Sequence, residues 1–257
     1  MITWLQGDDD PLPDTSAALP ADSQAPGLLA AGGSLTPQRL SEAYSHGVFP
    51  WFSAGQPVLW WSPDPRMVLQ TRDFKLSRSL RKLLTKFVRT PGCAIRFDGD
   101  FASVIGACAG SARAGQSGTW IVAPMIQAYL HWHQLGVVHS VETWIDDELV
   151  GGLYGVNLGR MFFGESMFSR RSDASKIALA ALVCFCIAHQ IEVIDCQQNT
   201  GHLASLGAAE WTRHRFEQHL QASVGQSAPA DWTYHPALWQ HLLGSEPRVP
   251  RPEESGT

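Results

Sequence analysis

The chain has 257 residues, and 44% of them are hydrophobic, which is enough for one large domain or for one domain with a smaller one beside it. Its formal net charge is −5, and it contains neither a basic start followed by an apolar core nor a run of roughly 18 apolar residues. These features argue against a secretory signal and a membrane span, so we expect a cytoplasmic protein.

The first elements along the chain are an arm, an apolar run and a helix. Residues 8–26 are acidic and rich in Pro, Ala and Ser, a composition that predicts a linker or a loosely held arm. An apolar run punctuated by glycines follows at 27–33. Thr36 then predicts a helix cap with Pro37 at the first helical position, and Gly47 is expected to end this helix.

Two aromatic segments, 48–52 and 58–66, come next and contain Trp51, Trp60 and Trp61. Such rings either fill a small core or line a pocket that offers stacking and apolar area to a base or a large side chain. The residues alone leave both interpretations open.

The most basic stretch runs from Arg66 to Arg89 and holds eight basic residues against one acid, Asp73, which leaves 11 basic and 23 acidic residues elsewhere. Residues 75–87 have apolar residues at helical spacing, so they predict an amphipathic helix. Its polar side lacks acids, which favours phosphate binding over a merely solvated face. The candidate phosphate-binding residues are Lys75, Arg78, Arg81, Lys82, Lys86 and Arg89.

The central part of the chain predicts a meander followed by a crossover. The predicted elements are helices at 101–113 and 124–135 and strands at 139–146, 149–156 and 160–163. A hairpin signal at 157–159 joins the last two strands. A buried helix at 174–188, which Ser172 or Asp173 can cap, leads to a strand at 191–196. This strand, helix and strand form a βαβ unit, whose strands should lie parallel in one sheet.

Polar residues follow both strands of this unit. They are Glu165 and Ser166 after the first strand, and Asp195, Gln197 and Asn199 at and after the end of the second. Ligands of open α/β sheets bind at that edge, so we expect the two groups to converge. The alternative is that Asp195 caps the following turn and that Glu165 pairs with Arg170 or Arg171.

Cysteines and histidines give no sign of a cofactor. The five cysteines are scattered and form no C-x-x-C pair, which argues against a disulfide framework and a zinc site. Cys196 follows Asp195, but in a strand its side chain faces away from its neighbours, which favours a packed thiol over a nucleophile. His131 and His133 lie two residues apart on a helix and cannot share a metal. We therefore expect neither a metal nor a cofactor.

Long motifs run through the chain from about Gly27 to about Phe216. They include GLLAAGGSLTPQRLSEAYSHGVFPWF, LWWSPDPR, GTWI, LVGGLYGV, FGESMFS, SDASKIAL and IDCQQN. Together they resemble the bacterial leucyl/phenylalanyl-tRNA protein transferases. The resemblance implies an enzyme that moves Leu or Phe, and less readily Met, from aminoacyl-tRNA to proteins whose first residue is Arg or Lys. The product is an N-terminal degradation signal, and we expect a monomer with no membrane partner.

The same resemblance implies an α+β architecture in three parts. A small N-terminal α/β domain is expected at 1–65, with the acidic arm inside it. A catalytic domain of the GNAT acetyltransferase type, with a mixed sheet and the βαβ unit, is expected at 66–243. The tail at 244–257 is expected to be disordered.

By motif, the resemblance also implies roles for single residues. The pocket for the aminoacyl side chain is implied to contain Trp51, Trp120, Leu153, Phe162 and Ile194. Gln197 is expected to orient the attacking amine, Asp195 to polarise Gln197 or to receive the proton through water, and Glu165 to bind the cationic N-terminus. The basic helix is expected to hold the tRNA acceptor stem. In the alternative mechanism, the 2′-hydroxyl of the tRNA or a water carries the proton.

Two other classes compete with this function. A GNAT acetyltransferase that uses acetyl-CoA needs a glycine-rich turn at the start of the crossover helix, but residues 168–173 contain no glycine and carry an acid. A non-catalytic tRNA-binding protein would explain the basic helix but not the polar cluster at the sheet edge.

Overall fold

A computed structural model describes residues 2–110 and 121–244, and their mixture of helices and strands confirms the α+β class. The strands are β1 (Thr3–Leu5), β2 (Leu28–Gly32), β3 (Phe49–Pro50), β4 (Leu59–Trp61), β5 (Arg66–Gln70), β6 (Cys93–Phe97), β7 (Val138–Ile145), β8 (Glu148–Leu158), β9 (Met161–Ser169), β10 (Val193–Gln197) and β11 (Ala209–Trp211). The helices are α1 (Pro37–Ser45), α2 (Arg78–Arg89), α3 (Phe101–Gly110), α4 (Ala123–Gln134), α5 (Ala174–Ala188), α6 (Gly201–Ser205), α7 (Arg213–Ser223) and α8 (Gln240–Leu243). No helix within the described residues combines the length and apolar character that a membrane span needs.

Two of the predicted elements extend past the described residues. The predicted tail at 244–257 lies outside them except for its first residue, and so do the last three residues of the helix predicted at 101–113.

The strands form two sheets. The smaller has the order β1-β2-β4-β3, and the larger has the order β11-β5-β10-β9-β8-β7-β6. In the larger sheet β9 and β10 run parallel, while the other neighbouring pairs are antiparallel. Helix α5 connects β9 to β10, so the predicted βαβ unit is confirmed within a mixed sheet.

Alternating side chains give the larger sheet two buried faces. Leu153 and Phe162 belong to the hydrophobic cluster on the side of α2 and α5, whereas their neighbours Tyr154 and Phe163 belong to the cluster on the side of α1, α3 and α4. The period of two along a strand produces this alternation. The second cluster also contains Trp60 of β4, so the two sheets share one core.

The hairpin of β8 and β9 is longer than the sequence predicts. Strand β8 ends at Leu158, two residues after its predicted end, so the turn lies at 159–160 instead of the predicted 157–159. Gly159 has a φ of 56°, and a Cβ there would lie 2.4 Å from the carbonyl oxygen of Val224, so the close approach of the chain after α7 requires glycine. The placement of Glu165 and Ser166 after a strand end is wrong, because β9 continues through both of them. Their polarity reflects a cavity that they line.

The helix starts depend on local capping. Thr36 accepts a hydrogen bond from the N–H of Arg39 and begins α1 as predicted. Ser77 caps α2, which therefore begins three residues later than the pattern at 75–87 suggests. Helix α5 has the predicted bounds, but Asp173 adopts a φ of 63° and binds Lys176 at 2.6 Å instead of capping the helix.

Both ends of the described chain make specific contacts with the rest of the molecule. Arg39 is buried, and its guanidinium donates to the carbonyl oxygen of Asp8 at 2.6 Å, at the start of the arm predicted at 8–26. Near the other end, the ring of Trp232 stacks on His139 with the ring centroids 3.9 Å apart. These contacts join distant segments, so composition alone does not reveal them.

Candidate active site

A cavity of about 330 Å³ opens between the parallel strands β9 and β10. The two strands pair at Phe162 with Ile194 and at Phe163 with Asp195, and beyond these pairs both strands contribute side chains to the cavity. This volume is at the lower end of the range for small-molecule sites. The cavity thus lies at the sheet edge where the sequence predicts a site.

Two β-bulges shape the polar end of this cavity. The register of β9 with β8 shifts at Glu165, which is the extra residue on its strand. The register of β10 with β5 shifts at Cys196, and the next residue, Gln197, adopts a φ of 61°. A bulge bends its strand and redirects side chains, which is why bulges recur beside active sites.

Glu165 is the central polar group of the cavity and is only 7% exposed. Its Oε1 accepts from the phenol of Tyr44 at 2.6 Å and from Nε2 of Gln197 at 2.9 Å, and its Oε2 accepts from the phenol of Tyr129 at 3.3 Å. Burial raises the pKa of Glu165 from 4.5 to about 7, although the hydrogen bond from Tyr44 opposes this shift. A carboxyl group that titrates near neutrality can bind an amine or exchange a proton with it.

The two phenols remain donors at neutral pH. Burial, together with the nearby charge of Glu165, raises the pKa of Tyr44 and of Tyr129 well above its usual range. Tyr44 belongs to α1 and Tyr129 to α4, and both rings lie in the hydrophobic cluster on the side of the sheet that α1, α3 and α4 cover. The hydrogen bonds to the carboxyl group therefore depend on packing between separate elements.

The predicted convergence of the two polar groups is confirmed by the hydrogen bond between Gln197 and Glu165. The alternative prediction that Glu165 pairs with Arg171 is wrong, because Arg171 forms an ion pair with Glu148 at 2.9 Å. Part of the alternative nevertheless holds, because Oδ1 of Asp195 accepts from the N–H of Gln197 at 2.9 Å and so caps the following turn.

Asp195 is fully buried in an ion pair that the sequence analysis missed. Arg66 donates from Nε to Oδ1 at 2.8 Å and from Nη2 to Oδ2 at 2.6 Å. Although Arg66 belongs to the basic stretch, it is only 1% exposed and is not part of a basic surface. No local pattern could have identified this pair, since its members are far apart in the chain.

The apolar wall contains three of the implied pocket residues, Trp51, Leu153 and Ile194. Trp61 packs edge-on against Trp51 and donates from Nε1 to its carbonyl oxygen at 2.7 Å, which fixes the position of that segment. Trp60 is buried and donates to a backbone carbonyl of β2. The two interpretations of the tryptophans therefore apply to different rings.

Phe162, another of the implied pocket residues, does not line this cavity. The ring centroid of Phe162 lies 5.7 Å from that of Trp232. Trp120 lies outside the described residues. Leu179 and Leu182 of α5 line the cavity instead. The sequence signal that could have identified these two leucines is their spacing of three on the crossover helix, because residues three apart share one helix face.

The predicted basic side chains are exposed on α2 and just before it. Arg81 donates to the carbonyl oxygen of Leu242 at 3.0 Å, and none of the six basic residues pairs with an acid in the described part of the chain. The N–H of Lys75 donates to the carbonyl oxygen of Leu206 at 2.8 Å. This bond joins the start of the basic surface to the segment that follows the cavity-lining residues at 200–203.

The remaining candidate groups are outside this arrangement. Burial, with the charge of Asp195, raises the pKa of the Cys196 thiol, which disfavours a nucleophilic thiolate. Asn199 donates to Glu210 at 2.9 Å and does not line the cavity. Across residues 2–110 and 121–244, no three His, Cys, Asp or Glu side chains are placed to hold a metal ion.

Known proteins are similar to the chain along nearly its whole length. The leucyl/phenylalanyl-tRNA protein transferase family matches residues 68–221, and the N-terminal domain of that family matches residues 33–64. The leucyl/phenylalanyl-tRNA--protein transferase of Methylibium petroleiphilum is 64% identical over 94% of this chain and 91% of its own. That of Leptothrix cholodnii is 58% identical over 98% of this chain and 99% of its own. A solved structure of a conserved protein of unknown function from Staphylococcus epidermidis covers 72% of this chain and 68% of its own, at 10% identity and a TM-score of 0.37, which is too low to bear on the fold.

Proposed function

The chain belongs to the leucyl/phenylalanyl-tRNA protein transferase family, and on this premise we propose that the cavity between β9 and β10 receives the aminoacyl group. As an aminoacyltransferase, the protein moves Leu or Phe from a tRNA to a protein. We further propose that Met is a weaker donor, that acceptors begin with Arg or Lys, and that the added residue serves as an N-terminal degradation signal.

The observation that carries this proposal is an apolar cavity with a buried carboxyl group at its polar end. Trp51, Leu153 and Leu182 offer apolar surface to the donor side chain. Such a surface favours Leu and Phe, because a charged or polar side chain would lose its hydration there without a partner. Glu165 and Gln197 supply the polar groups beside which the ester and the incoming amine can meet.

The chemistry demands little of the protein, because an aminoacyl ester is already activated. The neutral amine attacks the ester carbonyl carbon, a C–N bond forms, and the bond to the terminal ribose oxygen breaks. That oxygen leaves as a hydroxyl, and the proton lost by the amine balances it. The protein therefore has to position the reactants, stabilise the oxyanion and guide one proton.

Three residues share the positioning and the proton transfer. Gln197 donates through Nε2 to Glu165, which leaves its amide oxygen to accept from the amine and orient it. Glu165, with a pKa of about 7, attracts the cationic N-terminus or accepts its proton. Asp195 acts by holding Gln197, because Arg66 occupies both of its carboxylate oxygens. The alternative is proton transfer through the 2′-hydroxyl of the tRNA or a water.

The basic surface is proposed to bind the tRNA acceptor stem through its phosphates. Its cations are exposed and have no acidic partner within residues 2–110 and 121–244, which suits a polyanion and carries no base preference. We also propose that residues 66–243 form a GNAT-type domain around the βαβ unit and that residues 1–65 form a small N-terminal domain that packs against it. The protein is proposed to act as a monomer in the cytoplasm.

Incubation with leucyl-tRNA and three peptides that differ only in a first residue of Arg, Lys or Ala tests this function. We expect mass spectrometry to show addition of one leucine to the first two peptides and none to the third. Equal modification of all three would contradict the acceptor specificity. Acetylation by acetyl-CoA at a comparable rate would support the competing acetyltransferase function instead.

A further inference from the structure

Arg66 contacts both walls of the cavity from within the core. Its Nη1 donates to the carbonyl oxygen of Gly47 at 2.9 Å, and its guanidinium lies 4.8 Å from the ring centroid of Phe49 and 4.6 Å from that of Phe216. Its other two bonds hold Asp195. Since Phe49 and Asp195 both line the cavity and come from different strands, one buried side chain ties the two walls together.

This connection continues from Asp195 to Gln197. The bond from the Gln197 N–H to Oδ1 of Asp195 is an Asx turn, in which a side chain binds the backbone two residues on. Gln197 has a φ of 61°, a left-handed conformation that is unfavourable for a residue other than glycine. The same conformation presents its amide to Glu165. The pair of Arg66 and Asp195 thus offsets the cost of the backbone geometry that places Gln197.

We propose that Arg66 is a positioning residue for aminoacyl transfer, which fixes Gln197 relative to the wall at Phe49 without touching the substrate. The inference rests on the proposed function. A guanidinium suits this task, because its planar fork binds a carboxylate through two N–H groups while a third reaches a carbonyl. The ammonium group of lysine is a point charge and does not fix the carboxylate in one orientation.

Arg66→Lys tests this proposal, because it keeps a positive charge beside Asp195 and removes the fork. With saturating leucyl-tRNA and Arg-initiated peptide, we expect kcat to fall about 10-fold to 100-fold, as for a misplaced reactant. The KM for leucyl-tRNA should stay within about 3-fold, since the basic surface is untouched. Adding Gln197→Ala to Arg66→Lys should cost much less than Gln197→Ala alone, since residues that act as one unit are not additive.

Arg39→Lys is the matched control. Arg39 is also a buried arginine that holds backbone carbonyls, but it does not line the cavity. We expect it to lower Tm without lowering the kcat of the folded fraction. The positioning role would be overturned if kcat fell equally in Arg39→Lys and Arg66→Lys. It would also be overturned if the fold-decrease in kcat of the double variant equalled the product of the decreases in Arg66→Lys and Gln197→Ala. Absence of transfer by the unmodified protein in this assay would instead overturn the proposed function.

Phe216→Leu provides a second test that is independent of the folding of Arg66→Lys. It removes one ring from the guanidinium of Arg66, and Phe216 does not line the cavity. We expect kcat to fall about 3-fold at unchanged KM for leucyl-tRNA, again with reduced additivity toward Gln197→Ala. An unchanged kcat in folded Phe216→Leu would contradict the proposal.

Discussion

Replacing Glu165 by Gln removes the carboxyl group that the phenols of Tyr44 and Tyr129 hold in the cavity. Burial places its pKa at about 7 in the folded protein, compared with its ordinary 4.5. Between these values the folded state retains a proton that the unfolded chain has lost, so stability falls as the pH rises through this window and levels off above it. The distance between the two pKa values corresponds to about 3 kcal/mol.

Urea unfolding of the unmodified protein and Glu165→Gln, at roughly pH 5 to pH 8, measures this effect. Other titrating groups cancel in the difference, so the unmodified protein should lose about 2 to 3 kcal/mol relative to the variant across that range. Tyr44→Phe provides a directed comparison. It removes a hydrogen bond that favours the carboxylate, so the pKa of Glu165 should rise further and the loss should move to higher pH. A difference that stays constant with pH would refute the raised pKa.

Glu165→Gln also tests the role of the Glu165 carboxylate in aminoacyl transfer. Single-turnover rates of the unmodified protein should rise with pH through about 7 if the ionised Glu165 binds the amine or accepts its proton. Glu165→Gln should lose the inflection near pH 7 and keep only the rise that deprotonation of the peptide α-amine causes at about pH 8. An inflection near pH 7 that persists in the variant would contradict this role of Glu165 and favour proton transfer through the 2′-hydroxyl of the tRNA or a water.

The remaining predictions concern the two substrate surfaces. Changing Arg78, Arg81 and Lys82 together to Ala should flatten the plot of log K for tRNA against log salt by about 2 to 3 in slope, and an unchanged slope would mean that these charges are merely solvated. Leu182→Ala should raise the ratio of kcat/KM for Phe to that for Leu by about 10-fold, because it enlarges the cavity. Ile177→Ala truncates a buried residue of the same helix that does not line the cavity, so it should leave the ratio unchanged, and an equal change in both variants would refute the pocket assignment.

Local signals determine the helices of this protein. Thr36 and Gly47 bound α1, and the predicted helix at 174–188 coincides with α5. Caps and apolar periodicity act over a few residues, so the sequence contains them directly. Strand β5 was not predicted because it lies inside the basic stretch and pairs with strands that come much later in the chain. The length of β9 was underestimated for a different reason, because its polar residues face a cavity and resemble a strand end.

The sequence by itself identified Glu165, Asp195 and Gln197 as groups that meet, because the βαβ pattern makes their two strands parallel neighbours, although β9 continues through Glu165. Only the tertiary structure decided what each of them can do. Tyr44 and Tyr129 reach Glu165 from separate helices, and Arg66 reaches Asp195 from a strand far away in the chain. The pKa of a carboxyl group depends on its burial and on the partners that folding brings to it, and not on its neighbours in the sequence. A carboxyl group that titrates near neutrality and one held by an arginine therefore look alike in the sequence and differ only after the chain has folded.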